Sequence, residues 1–364
     1  MIRPPLSAFE RGSVYTRFKK RDPNPDTMSG QGLSVEKIVK GIRNPSRVVD
    51  EVILDYVYRT PAIVLNSFST IGTNVFDREW DALIVLDTAR VDALREVADE
   101  YDFITDVDSI WSTGGASAEW LARTFDEAHA EEIRETAFLS AQSHIQEVLD
   151  TKVHETDSSR PLPFKTLRLM PSVDIDELDK AEYLFKFETV GEEGPFGHTE
   201  ANTPPRYATD RGIAVGRQRD PDRLMIQYHQ PHTPWFSQAL AEDRELKYHE
   251  YDWWNYYYDT GDTDRIWEAY MSDLRYVLDE IEILLNNLDA ERVVITADHG
   301  EAFGEYGVLG HKLGSVHPKV RKVPWIETSA VDHETHEPTV EEPDRSKMSR
   351  EELDHKLEAL GYKV

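Results

Sequence analysis

DALIVLD, residues Asp81–Asp87, sets five apolar side chains in a row between two carboxylates. Strict alternation would mark a strand with one wet face, whereas an unbroken apolar run is what a strand covered on both faces requires. RLMIQYH (Arg223–His229) and RVVITAD (Arg292–Asp298) repeat the pattern, TAFLSA (Thr136–Ala141) is a fourth strand, and a short one falls near Val323–Ile326. Helical spacing lies between them, at about Val91–Glu100, Ala118–Phe125 and Asp264–Leu288. Strands alternating with helices, without hairpin signals, predict an α/β fold: a mostly parallel sheet with helices on both faces. Ligands in such sheets lie beyond the carboxyl ends of the strands. Asp87, His229 with His232, and Asp298 all fall there.

Working outward, residues 1–34 mix Arg, Pro, Gly and Ser without period and read as an N-terminal arm. Residues 35–59 carry helical spacing on either side of Pro45 and predict two helices. Residues 151–220 are rich in Pro, Gly, Asp and Glu and read as an inserted irregular segment of the domain spanning 35–345. The dense Trp and Tyr between Tyr248 and Tyr258 are expected to pack a lid or the core of the insertion. Residues 346–364 read as a C-terminal helical tail ending at Gly361.

Of 364 residues, 39% are apolar, enough for a sizeable core, while 41 Lys plus Arg face 69 Asp plus Glu for a formal charge of −28. So negative a surface repels nucleic acid and anionic membrane, and excludes both as partners. It suits concentrated salt, where screening removes self-repulsion, and the expected setting is a halophilic cytoplasm. The melting temperature should therefore climb as KCl is raised into the molar range. A thermal-denaturation series in KCl checks this, and equal stability in dilute buffer would remove the halophilic reading. The chain has no cysteine, so disulfides, thiolate nucleophiles and zinc–thiolate sites are excluded. No stretch approaches 18 apolar residues, and a soluble protein without membrane insertion is expected.

The chemistry concentrates in ITADHGE, Ile295–Glu301, where a buried strand delivers Asp298 and His299 side by side and Gly300 lets the chain turn away. Carboxylate and imidazole together suit a divalent cation, and Asp87, at the end of an earlier strand, would complete the set. Each has a plainer use. Asp87 could cap the following helix, and His299 could be a hydrogen-bonded core histidine.

Taken in order, IVLDTARVDAL, GGASAEWL, HQPHTPW, TADHGE, LGHK and KVPWIE, spread over Asp81–Glu327, resemble the landmarks of sulfatase-like hydrolases in the alkaline phosphatase superfamily. The terminal EELDHKLEALGYKV is similar to the tail of many archaeal members. The resemblance implies an alkaline-phosphatase-like sheet and a metal held by Asp87, Asp298 and His299. It implies a nucleophile in the small-residue turn, where Ser117 is the choice, also touching the metal, and Ser112 and Thr113 are rivals. All three hydroxyls could instead cap the helix at Ala118. His232 matches the substrate-binding histidine, with His229 orienting it. His311 and Lys312 match a late pair acting on metal or ester, and Arg90 could add charge from the first loop. Glu301, His317 and Glu119 are weaker candidates.

Two departures modify these implications. The formylglycine signature needs Arg four residues after its Cys or Ser, and Leu121 stands there, so the serine is expected to act unmodified. Two-metal relatives carry an Asp and a His four residues apart, and YHQPH lacks that Asp, so one cation is expected, Mn, Mg, Ca or Zn. The implied function is hydrolysis of phosphate or sulfate esters, on a small molecule or a glycan, through a seryl-ester intermediate. A group transferase of the same superfamily and an inactive glycan-binding member are the alternatives.

Overall fold

The structure is a computed structural model that describes residues 59–68, 71–157, 160, 162–186, 202–343, 349 and 351–352. The expected arm at 1–34, nearly all of the two helices at 35–59 and most of the tail at 346–364 lie outside the described residues.

Seven strands form one mixed sheet: β1 (Ala82–Leu86), β2 (Asp108–Trp111), β3 (Thr136–Ser140), β4 (Lys180–Tyr183), β5 (Arg223–Tyr228), β6 (Ala290–Ala297) and β7 (Lys322–Ala330). Their order is β2-β7-β6-β1-β5-β3-β4. β1 pairs parallel with β5 and β6, and β3 parallel with β5 and β4, while β7 runs antiparallel to β6 and to β2. The mostly parallel sheet of the sequence reading is present, with one reversed strand that the spacing alone did not reveal.

The helices used below are α1 (Thr60–Phe68), α2 (Val91–Val97), α3 (Ser117–Thr124), α4 (Pro205–Arg219), α5 (Trp253–Thr260) and α6 (Thr263–Leu285). Successive strand residues point to opposite faces. Leu139 is paired with Ile226, so Phe138 lies on the other face. α4 brings Gly212 against Ile226, whereas Phe125, just past α3, stacks on Phe138 with ring centroids 5.0 Å apart. Helices thus cover both faces. Leu83, Ile84, Val85 and Leu86 are all fully buried, each stabilising the fold by about 1.5–3 kcal/mol, and this anchors the strand end that carries Asp87.

Where residues 151–220 are described, they supply the edge strand β4 and helix α4, which packs on β5 and β3. The periodicity was weak because α4 buries polar side chains, Asp210 and Arg211 among them, and Arg211 pairs with buried Glu182 at 2.7 Å. Part of the aromatic run is packed, while Tyr251 and Tyr258 are exposed. Trp253 of α5 is buried against Trp254 and Phe303, with ring centroids 4.5 and 5.1 Å away.

On α6, Asp273 is fully buried. Its Oδ1 accepts the Ser237 N–H at 2.8 Å, and Oδ2 has no partner among the described residues. Burial pushes its carboxyl up to about 7. A carboxyl raised in the folded state stabilises fully below pH about 4 and loses that contribution as pH rises through 7. Asp273→Asn keeps the acceptor and removes the charge. It should flatten the fall in stability between pH 5 and 8, a difference of about 2–3 kcal/mol. Parallel urea titrations across that range check it, and identical slopes would show that Asp273 is ionised at no cost.

Among the described residues no helix is long and apolar enough to cross a membrane.

Candidate active site

Register builds the site. Leu86 is paired with both Tyr228 and Ala297, so the next residues, Asp87, His229 and Asp298, emerge as one row beyond the sheet. Ser140 is paired with Gln227 and the Ala141 N–H bonds to Gln227 O at 2.9 Å, which brings Gln142 to the same level. Gln142 Nε2 donates to Asp87 Oδ2. Gln227 accepts from Ser140 Oγ at 2.7 Å and donates to Asp298 Oδ2 at 3.3 Å. Asp298 Oδ1 also takes the backbone N–H of His299 at 2.7 Å and of Thr88 at 3.4 Å. Both carboxylates are fully buried and held by oriented donors.

His299 Nε2 lies 3.6 Å from Asp87 Oδ1, 3.6 Å from Asp298 Oδ2 and 3.2 Å from Ser117 Oγ. Two atoms that each bind one tetrahedral ion at about 2.0–2.2 Å are separated by roughly 3.3–3.6 Å, so the two carboxylates and the imidazole are spaced as co-ligands. The ring is suitably prepared. Its Nδ1–H donates to Gly300 O at 3.1 Å, which leaves the Nε2 lone pair facing the carboxylates. Desolvation lowers its pKa to about 4, so it is neutral at neutral pH. Gly300 is needed for proximity and not for a left-handed turn, since a Cβ there would sit 2.2 Å from Lys319 O.

The three hydroxyls separate cleanly. Ser112 Oγ donates to Asp298 O, and Thr113 Oγ1 pairs with Thr124 Oγ1 at 2.9 Å. Ser117 faces His299 from the first turn of α3, whose N-cap is Ala116 with no side-chain cap bond. Helix capping therefore does not account for Ser117.

The histidines form a chain. Ring centroids run from His229 to His232 (5.0 Å), to His311 (5.2 Å), to His299 (4.3 Å). His232 Nδ1 donates to Thr233 O at 2.6 Å, and burial holds the ring well below its ordinary pKa. His229, lowered to about 4 by the same cause, reaches Thr233 O with Nε2 at 3.4 Å. Asp87, His229 and His232 bring ligand atoms within 4.8 Å of one another, as do Asp87, Asp298 and His299. Asp87 thus stands both with the two histidines of YHQPH and with Asp298 and His299, so the two candidate donor sets share its carboxylate.

His311 Nδ1 meets Glu301 Oε2 at 3.0 Å, and burial raises Glu301 to about 8. Lys312 follows on the same loop, half-buried. Arg90 is placed otherwise. Its guanidinium pairs with Asp92 and Glu305, both at 2.7 Å, and lies over the rings of Trp267 and Phe303. His317 caps a short turn by accepting the Lys319 N–H at 3.2 Å.

Sequence reasoning passed over His144. It follows β3 and is buried, with Nδ1 2.7 Å from Glu147 Oε2. Glu147 is held in turn by Arg160. The signal was available: TAFLSA ends at the same sheet edge as DALIVLD, so Gln142 and His144 warranted the scrutiny given to Asp87.

No protein-family model and no curated protein matches the chain. Among solved structures, the soluble domain of lipooligosaccharide phosphoethanolamine transferase A from Neisseria meningitidis is 16% identical, with 70% of this chain and 77% of that one covered, at a TM-score of 0.44. A putative sulfatase from Bacteroides thetaiotaomicron is 14% identical, with 78% and 71% covered, at 0.40. The periplasmic domain of phosphoethanolamine transferase EptC from Campylobacter jejuni is 16% identical, with 68% and 77% covered, at 0.37. The aligned region spans 48% of the integral membrane form of the Neisseria transferase.

Proposed function

We propose that the chain is a metal-dependent enzyme that cleaves phosphate or sulfate esters through Ser117, in the manner of the sulfatase-like branch of the alkaline phosphatase superfamily that its motifs resemble. One observation carries the reading: a serine hydroxyl lies 3.2 Å from an imidazole nitrogen that is itself 3.6 Å from two buried carboxylates. A divalent cation held by Asp87, Asp298, His299 and Ser117 would supply Lewis-acid charge that favours the serine alkoxide and the developing charge on the ester.

The rest is done by the chain. Ser117 Oγ, at the start of α3, gives up its proton and forms the bond to phosphorus or sulfur as the bond to the leaving oxygen breaks, and that oxygen takes up a proton in exchange, so this half of the reaction is proton-neutral. Backbone N–H groups at the helix start favour an anionic ester. Lys312 neutralises nonbridging oxygens. His232, whose Nδ1–H is directed to Thr233 O, presents Nε2 as the acceptor nitrogen, suited to take the proton of the hydroxyl that resolves the seryl ester. When that hydroxyl is water the enzyme is a hydrolase, and when it is an alcohol it is a transferase. The burial of Ser117, Asp87 and His299 gives the protein control over which one enters.

The test is turnover of an aryl phosphate, an aryl phosphodiester and an aryl sulfate in high KCl with Mn, Mg, Ca or Zn, with and without an added alcohol. Turnover abolished by EDTA is expected. Metal-dependent binding of these esters without turnover would replace the proposal with a non-catalytic ester-binding protein.

A further inference from the structure

Glu119 is a fully buried carboxylate on the first turn of α3, two residues beyond Ser117. At that position a glutamate ordinarily reaches back to the N-cap backbone N–H of its own helix. Here it does something else. Oε2 accepts the Gly115 N–H at 3.0 Å and the Gly314 N–H at 2.8 Å, from loops 199 residues apart in numbering. Oε1 accepts Asn66 Nδ2 at 2.9 Å and lies 3.5 Å from Arg321 Nη1. Asn66, fully buried on α1, also donates to Thr113 O at 2.8 Å.

One carboxylate therefore joins the turn that presents Ser117 to the loop that presents His311 and Lys312. The joint is close-packed. A Cβ on Gly115 would lie 2.9 Å from Lys312 O and 2.9 Å from Ser315 N, so the two segments touch through backbone alone. A buried carboxylate accepting several donors is strongly directional, and losing it would leave those N–H groups without an acceptor in a dry environment.

We infer that Glu119 is a positioning residue: it fixes the distance between the serine hydroxyl and the His311–Lys312 pair without touching either. The kinetic part of this inference rests on the proposed ester cleavage, and its structural part does not.

The test measures amide hydrogen exchange at Gly115 and Gly314 alongside steady-state kinetics in wild type, Glu119→Ala and Glu119→Gln. Gln keeps the shape but must turn its amide donors toward one set of N–H groups, so it serves if Ala does not fold. Protection at both glycines should fall together by about 10²-fold. The kcat should fall by about 10²-fold with KM changed little, since misplacement by an ångström acts on the chemical step. If both amides lose protection but the wild type cleaves no ester, the positioning role stands and the functional proposal fails. Retained protection at either glycine, or a kcat within about threefold of wild type in a folded variant, overturns the inference.

Discussion

Ser117→Ala is expected to reduce turnover by about 10³-fold or more while leaving cation binding largely in place. The asymmetry follows from the site. Removing Oγ takes away the atom that forms the covalent bond, whereas His299 Nε2 keeps its 3.6 Å spacing to Asp87 and to Asp298. The neighbouring hydroxyls provide the contrast. Thr113→Ala removes a buried hydroxyl pair at 2.9 Å and should cost about 1 kcal/mol of stability with turnover retained. Ser112→Ala should likewise act through the fold, because Ser112 Oγ is directed at Asp298 O. Turnover assays with tryptic mapping of a trapped seryl ester would check the assignment. Activity lost in Thr113→Ala and retained in Ser117→Ala would move the nucleophile and leave the class of reaction intact.

What could be read from the sequence, and what could not, divides along physical lines. The strands were legible because strands covered on both faces must be continuously apolar, and their terminal carboxylates stood out against those runs. That made Asp87, Asp298 and His299 visible together. The register that aligns Asp87 with His229 and Gln142 was not legible, since pairing offsets are set by tertiary packing. The antiparallel sense of β7 was hidden for the same reason. The partners of Arg90 were not legible, because a guanidinium near a strand end carries no mark of where it points, and Asp92 and Glu305 pair with it in the fold. Glu119 has the spacing of a helix-capping residue. Only the approach of Gly314, 195 residues later, gives it another task.

Asp87→Asn should change the sign of its effect with the presence of metal. Asp87 and Asp298 are fully buried, lie 3.6 Å from the same neutral imidazole, and follow adjacent strands of the sheet. Two like charges in a dry site oppose folding unless a cation lies between them. In EDTA, then, the variant should melt higher than wild type, because one of the two charges is gone while Gln142 still finds an amide oxygen at that position. With a divalent cation the order should reverse. Asp87 belongs to both candidate donor sets, so its neutralisation should weaken binding by about 10²-fold or more. A ligand at 100 times its dissociation constant stabilises by about 2.7 kcal/mol, which for a chain of this length is a rise of about 3–4 °C. The wild type should show that rise and Asp87→Asn almost none of it. Melting curves of both proteins, in EDTA and in each of Mn, Mg, Ca and Zn, with bound metal counted by elemental analysis, decide the matter. A wild-type chain whose melting temperature ignores every cation would mean that the two carboxylates are held by hydrogen bonds alone, and the proposed chemistry would have no centre.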